Sequence, residues 1–383
     1  MRPPPVLDVD ALLDDPATRI IVCCGAGGVG KTTTSAALGV RAAERGRRVC
    51  VLTIDPARRL AQSMGLTELD NTPRVVPKIG VSAGGSLSAM MLDMKRTFDE
   101  IVELHADPDR AQQIFANSFY QTLSTSFAGT QEYMAMEKLG QLHREAAETG
   151  EWDLIVVDTP PSRSALDFLD APKRMGSFLD GRFIRLLTAP AKSGGRAYLR
   201  VIGAGVGMVS GAVSKVLGAQ LLSDLQTLVT ALDTVFGGFR DRADQTYGLL
   251  QAPGTSFVVV AAPDRDALRE ASYFVERLQT DAMPLAGLVL NRVHTSLAPQ
   301  LSAERAGVAA DLLDDVGRDH RLTADLLRLH ADRMRVIGRE SRVVESFTAA
   351  HPDVAVARAA ARAGDVHDVA GLRAVGDALA HSG

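Results

Sequence analysis

Cysteine is scarce in this 383-residue chain: three occur, and no two of them form a Cys-x-x-Cys pair. That count excludes a disulfide framework and speaks against a structural zinc site. Charge of one sign is also lacking. The formal net charge is −4 at pH 7, which gives no reason to expect nucleic acid as a partner. No uncharged apolar run reaches the length of a membrane span. The opening Met-Arg-Pro-Pro-Pro-Val-Leu-Asp has no apolar core of a signal peptide. These absences lead to the expectation of a cytoplasmic protein, peripheral at a membrane at most. Apolar residues are plentiful, 46% of the chain, enough for a sizeable core. The length fits one large α/β domain carrying insertions.

The chain is organised around Ile20–Thr33. Five apolar residues, Ile20 to Cys24, predict a buried parallel strand. Gly25, Gly27, Gly28 and Gly30 then form a loop, and Lys31 opens a helix. The pattern G-x-x-x-x-G-K-[ST] is complete in Gly25, Gly30, Lys31 and Thr32, in the strand–loop–helix context that a phosphate-binding P-loop requires. Glycines let backbone N–H groups curl round polyphosphate oxygens with no Cβ in the way. The helix N-terminus adds orphan donors and the positive end of its dipole. Gly27, Gly28, Val29, Gly30, Lys31, Thr32 and Thr33 are therefore the expected phosphate cradle. Lys31 can reach the β- and γ-phosphates of a nucleotide, and the Thr32 hydroxyl can ligand Mg²⁺.

Downstream, the loop helix is expected to run to about Arg45 and to stop at Gly46. Its small residues Ala36, Ala37, Ala42 and Ala43 allow close packing on a sheet. Val49–Ile54 reads as the second strand, with Asp55-Pro56-Ala57 at its carboxyl end, where ligands bind in open α/β sheets. Leu87–Leu92 reads as another strand, and residues 95–150 as mostly helical. Leu154–Val157 is a buried strand tipped by Asp158, the Walker B arrangement, in which the carboxylate holds a Mg²⁺-bound water. Phe257–Ala261, Leu285–Leu290 and a short Val354–Ala357 are the remaining expected strands. Helices are expected near Ala267–Leu278 and from residue 300 onward, with a closing loop and helix over Asp365–Ala380.

Residues 175–250 differ in character. Val201–Ser214 carries no charge, and Leu221, Leu225, Leu228 and Leu232 recur at helical spacing. Such a segment reads either as a helical region with an apolar face for a partner or as a helical layer packed on itself. Met90, Met91, Met94, Met134 and Met136 read likewise, as the lining of an adaptable groove or as core. The fold expected is α/β, a mostly parallel twisted sheet flanked by helices. It forms a single P-loop domain over 1–383, with a helical insert subdomain from 95–150 and 175–250.

Three motifs in order carry a family resemblance. Gly25-Ala26-Gly27-Gly28-Val29-Gly30-Lys31-Thr32-Thr33 resembles the deviant Walker A loop of the SIMIBI class of P-loop ATPases. Thr53-Ile54-Asp55-Pro56-Ala57 resembles the switch I motif of the arsenite-pump ATPases, a family that includes the ATPases delivering tail-anchored membrane proteins. Val157-Asp158-Thr159-Pro160-Pro161 resembles its switch II. Asn291, after its strand, sits where the family has an adenine-reading asparagine. The resemblance covers roughly residues 18 to 380. It implies an ATP-binding, Mg²⁺-dependent ATPase that works as a face-to-face dimer, with a helical subdomain that opens and closes with the nucleotide state. It also implies roles: Asp55 positions the attacking water, Lys31 and the loop amides stabilise the γ-phosphoryl group, and Thr32 holds Mg²⁺.

The departures are informative. The family's signature lysine, second in the loop, reaches the partner's nucleotide; here that position is Ala26. A homodimer should then hydrolyse ATP poorly, while a heterodimer with a paralogue that keeps the lysine has one normal site, on this chain's loop. Arg58, Arg59 or Arg163 are candidates to supply the lost charge, or else surface residues. Cys23, Cys24 and Cys50 all fall on predicted strands, so no cysteine trio for arsenite is expected. The leading expectation is an ATPase acting on an apolar or membrane-protein client. The alternative is a nucleotide-binding regulatory or scaffold subunit with little turnover of its own. A ParA/MinD-type positioning ATPase fits less well, given the long central insert.

Overall fold

Every residue of the first strand, β1 (Ile20–Gly25), is buried, as a strand covered on both faces must be. In the computed structural model, the structure describes residues 4–54, 59–66, 68–77, 79–80, 83–117, 120–121, 124, 130–160, 239–316 and 318–381. Seven further strands join β1: β2 (Arg48–Thr53), β3 (Arg74–Val75), β4 (Ser86–Met91), β5 (Leu154–Asp158), β6 (Thr255–Ala261), β7 (Leu285–Val293) and β8 (Val356–Ala360). They form one sheet in the order β3-β4-β2-β5-β1-β6-β7-β8. All neighbours are parallel except β3 on β4. The fold is thus the α/β, mostly parallel sheet that the sequence implied. β1 lies between β5 and β6, so the chain leaves the carboxyl end of β1 where the sheet's connections diverge, the usual ligand crevice of such sheets.

The described residues fall into two compact units. One comprises segments 1–91, 145–165 and 249–383, and holds the sheet. Helix α1 (Val9–Asp14) precedes β1, and α2 (Lys31–Glu44) follows it. Small residues bring α2 close to the sheet: Ala36, Ala37, Ala42 and Ala43 are fully buried. A Cβ at Gly39 would lie 2.6 Å from Val51 Cγ2. Helix α3 (Arg59–Ser63) follows β2.

Ionic contacts fix both chain ends to α2. Arg41 donates to Asp10 at 2.5 and 2.8 Å, and to Asp377 at 2.6 Å. The Arg41 hydrogen bond holds the Asp10 carboxyl below its usual range. Arg47, buried just past α2, donates to Asp153 Oδ1 at 2.6 Å and to the carbonyls of Leu13, Asp15 and Thr18. Removing the half-buried Asp153 would leave the Arg47 guanidinium short of its charge partner, at a cost of about 1–3 kcal/mol.

The other unit comprises segments 92–144 and 166–248. Its described residues are helical: α4 (Met94–His105), α5 (Pro108–Ala116), most of α6 (Thr130–Thr149) and the start of α7 (Phe239–Gln251). Asp93 and Asp107 cap the first two helices through their carboxylates. The helices are tied by polar bonds as well as by apolar packing. Tyr120 donates to Asp99 at 2.8 Å, and burial pushes its phenol pKa up. Glu137 of α6, almost fully buried, accepts from Arg242 of α7 at 3.0 Å. Met90, Met134 and Met136 are wholly buried, so these three methionines are core and line no groove. The apolar stretch Val201–Ser214 and the leucine spacing that follows it lie outside the described residues.

Later in the chain, α8 (Arg265–Thr280) starts at the Asp264 cap, and α9 (Ala303–Val316) and the 30-residue α10 (Arg321–Ala350) form a hairpin. Helix α11 (Val369–Ala380) closes the chain against α2. Most expected strands lie within one or two residues of their limits, and the departures that bear on the site are in the last two strands. The last strand runs Val356–Ala360 rather than Val354–Ala357, and β7 continues through Asn291 and Arg292 to Val293. Arg292 adopts a left-handed φ of +60°, which lets the strand absorb a register shift and go on pairing with β8.

Candidate active site

The loop after β1 owes its shape to two glycines. At Gly25 a Cβ would lie 2.0 Å from the Val260 carbonyl oxygen of β6, so no other residue fits there. Gly30 caps α2 with φ +95°, a left-handed conformation that glycine adopts at little cost. Between them the backbone bends over the start of α2. Lys31 is 7% exposed and folds back over the loop, donating to Gly25 O at 3.1 Å and to Ala26 O at 2.7 Å. The carbonyls thus hold its ammonium at the mouth of the loop, where phosphate oxygens can replace them.

Strand register brings the acidic residue to the same place. Cys23 of β1 pairs with Asp158 of β5, and Thr53 of β2 pairs with Asp158 from the other side. Asp158 is fully buried. Its Oδ2 accepts from Thr32 Oγ1 at 2.7 Å and from Thr53 Oγ1 at 2.9 Å. Its backbone carbonyl accepts from Ile54 N, and Thr159 donates to Cys23 O at 2.9 Å. The tips of β1, β2 and β5 and the first turn of α2 therefore form one hydrogen-bonded cluster. A hydroxyl and a carboxylate in direct contact are hard oxygen donors, the set that suits Mg²⁺. Among the described residues no cluster of His, Cys, Asp and Glu offers a competing metal site. The three cysteines are buried and unbridged; burial pushes the Cys23 thiol up to about 12, so it stays protonated at neutral pH.

A cavity of about 760 Å³ opens beside this cluster. One wall is Gly28, Gly30, Lys31, Thr32 and Thr33. The facing wall is the end of β7 and the residue after it, with Asn291, Arg292 and His294, and the segment Ala360–His367, which starts at the last residue of β8. His294 is held by Glu340 of α10, with Nδ1 to Oε1 at 2.6 Å and the backbone N–H to Oε2 at 3.0 Å. Of the residues singled out in sequence, the structure brings together Gly28, Gly30, Lys31, Thr32, Thr33, Asp158 and Asn291. Asp55, Arg58, Arg163 and the Arg59 side chain lie outside the described residues. Sequence reading missed Thr53 as a partner of Asp158, and it missed the wall formed by His294 and Ala360–His367. A signal for that wall exists: polar Arg362, Gly364 and Asp365 directly follow a strand, at the carboxyl end where ligands bind.

A P-loop at the end of the central strand, a strand-tip aspartate on its threonine and a cavity beside both define a nucleoside-triphosphate-binding α/β protein. The chain belongs to the anion-transporting ATPase family, whose sequence profile matches residues 18–306. It is 28% identical over 286 residues to ATPase ARSA2 of Chlamydomonas reinhardtii, a match covering 74% of this chain and 70% of that relative. It is 31% identical over 169 residues to ATPase GET3 of Malassezia globosa, covering 44% and 46% of the two chains. The ATPase ASNA1 homolog of Cryptosporidium parvum is 25% identical over 304 residues, covering 77% and 72%. The protein is therefore an ATPase that uses ATP and Mg²⁺. The wall segment Ala360–His367 and Glu340 lie beyond the residues that the family profile matches. No helix among the described residues is long and apolar enough to cross a membrane.

Proposed function

We propose that the chain is a dimeric Mg²⁺-dependent ATPase whose nucleotide state governs its helical subdomain, which acts on an apolar client or partner protein. The observation that carries this reading is the convergence of Thr32 and Thr53 on Asp158 beside Lys31. The loop amides of Gly27–Thr33 and Lys31 bind the phosphates. Thr32 and Asp158 would hold Mg²⁺, Asp158 by way of a water, and the ion would supply charge neutralisation to the phosphates. Lys31 leaves its loop carbonyls for the γ-phosphoryl oxygens. Asp55 orients the water that attacks γ-phosphorus, with ADP as leaving group and phosphate as product. Asn291 meets the adenine. Positioning and charge stabilisation account for most of the catalysis, so few groups suffice.

In this reading residues 1–383 are one P-loop ATPase domain, with 95–150 and 175–250 supplying the helical subdomain. The protein works in the cytoplasm and at times at a membrane surface. The dimer is a homodimer, or a heterodimer with a paralogue that keeps the lysine. Ala26 favours a second reading, a nucleotide-binding regulatory or scaffold subunit with little turnover alone. Asp55→Asn tests the assigned chemistry. Binding of ATP, measured by calorimetry, should stay within a few-fold of the parent. Turnover in the presence of a lysine-bearing partner or of Ala26→Lys should fall by about 10²–10⁴, the usual weight of a positioned acid or base. Loss of ATP binding instead makes Asp55 structural and removes its catalytic role.

A further inference from the structure

Strand β7 does not stop where its apolar run stops. Its pairing with β8 changes register between Leu290 and Val293, and Arg292 takes a left-handed φ that non-glycine residues seldom adopt. The N–H of Arg292 donates to Asn291 Oδ1 at 2.9 Å, which fixes the amide of Asn291 at the kink. The other end of that amide, Nδ2, donates to the Val29 carbonyl of the phosphate loop at 2.9 Å. The next residue in the loop leaves it room: a Cβ at Gly30 would lie 2.2 Å from Asn291 Nδ2. An irregular strand, an unusual backbone angle and a glycine thus converge on one hydrogen bond between β7 and the loop.

We propose that Asn291 is a positioning residue for the phosphate loop, and that its hold on Val29 contributes more to nucleotide binding than any contact with the base. The proposal rests on the nucleotide reading of the site. Peptide units are planar, so fixing the Val29 carbonyl also fixes the direction of the Gly30 N–H. N–H groups of such loops are what phosphate oxygens bind. An amide nitrogen carries two hydrogens, so holding the loop leaves contact with a base open as well.

The discriminating probe is a polyphosphate that has no base. Affinities of the full chain for ATP, GTP and inorganic tripolyphosphate, each with Mg²⁺, are measured by calorimetry for the parent, Asn291→Ala and Asn291→Asp. Asn291→Ala should weaken all three ligands, tripolyphosphate included, by about tenfold for one lost hydrogen bond. The preference for ATP over GTP should change by much less than that factor. Asn291→Asp preserves size but sets an acceptor against the Val29 carbonyl, so it should lose more than alanine does. Without ligand, amide exchange should quicken in a peptide covering residues 25–33 and not in the rest of the sheet. Unchanged tripolyphosphate affinity, together with weaker ATP binding and a lost preference for ATP, would overturn the proposal and leave Asn291 as a base reader. Faster exchange throughout the sheet with a lower melting temperature would overturn it too. A parent that binds neither ATP nor tripolyphosphate would refute the nucleotide reading itself.

Discussion

Ala26→Lys is expected to raise the steady-state ATP turnover of the purified chain by about a thousandfold. A cation delivered across an interface to a transferring phosphoryl group is worth about 10³–10⁵ in rate, because charge builds on that group as its bond to ADP breaks. Between Gly25 and Thr33 the chain has one charged side chain, Lys31. In the resting loop that lysine is occupied by the carbonyls of Gly25 and Ala26. Replacing Ala26 adds a second cation and leaves the backbone carbonyl that Lys31 uses. If the new lysine acts across a dimer, turnover per chain should also rise with protein concentration. Mixing the parent with a lysine-bearing relative should give a comparable gain. A parent that already matches Ala26→Lys would mean that another group, with Arg58, Arg59 and Arg163 the first to test, supplies the charge.

Asp158→Asn is expected to lower turnover at least a hundredfold in the Ala26→Lys background while leaving the urea midpoint unchanged or raising it. The two effects separate if, as proposed, the carboxylate serves the reaction more than the fold. Taking a carboxylate fully out of water is costly, and its hydrogen bonds return only part of that cost. Asparagine keeps the shape and keeps an oxygen to accept from Thr32 and Thr53. What it removes is the negative charge that, in the proposed site, would hold Mg²⁺ and its water. Turnover against Mg²⁺ concentration and urea unfolding, measured on the same preparation, check both halves. A large fall in the midpoint would make Asp158 a structural anchor of the strand tips instead.

The part of the site on β1, β5 and α2 was legible in sequence because its constraints are local. A buried strand, a glycine loop and a capped helix each leave a signature within a few residues. The acidic strand tip likewise announces itself after Leu154–Val157. The far wall of the cavity was not legible, for reasons that lie in tertiary structure. Two-residue β3 joins the sheet through its antiparallel pairing to β4, which no local pattern encodes. Strand β8 is rich in alanine and alternates buried with exposed positions, so its apolar signal is weak and its limits slipped by two to three residues. Asn291 and Arg292 look like the end of a strand by polarity, yet pairing with β8 carries the strand through them. The hold of Glu340 on His294 spans 46 residues of chain, a distance that spacing rules do not reach.

The most direct measurement is a calorimetric titration of MgATP into the purified parent chain, with Lys31→Ala alongside. One ATP per chain is expected, with affinity that weakens when Mg²⁺ is withdrawn. Lys31→Ala should lose that binding while its thermal midpoint stays near the parent's. Binding that is unchanged in Lys31→Ala, or absent from the folded parent, would contradict a nucleotide site built on Lys31, Thr32 and Asp158.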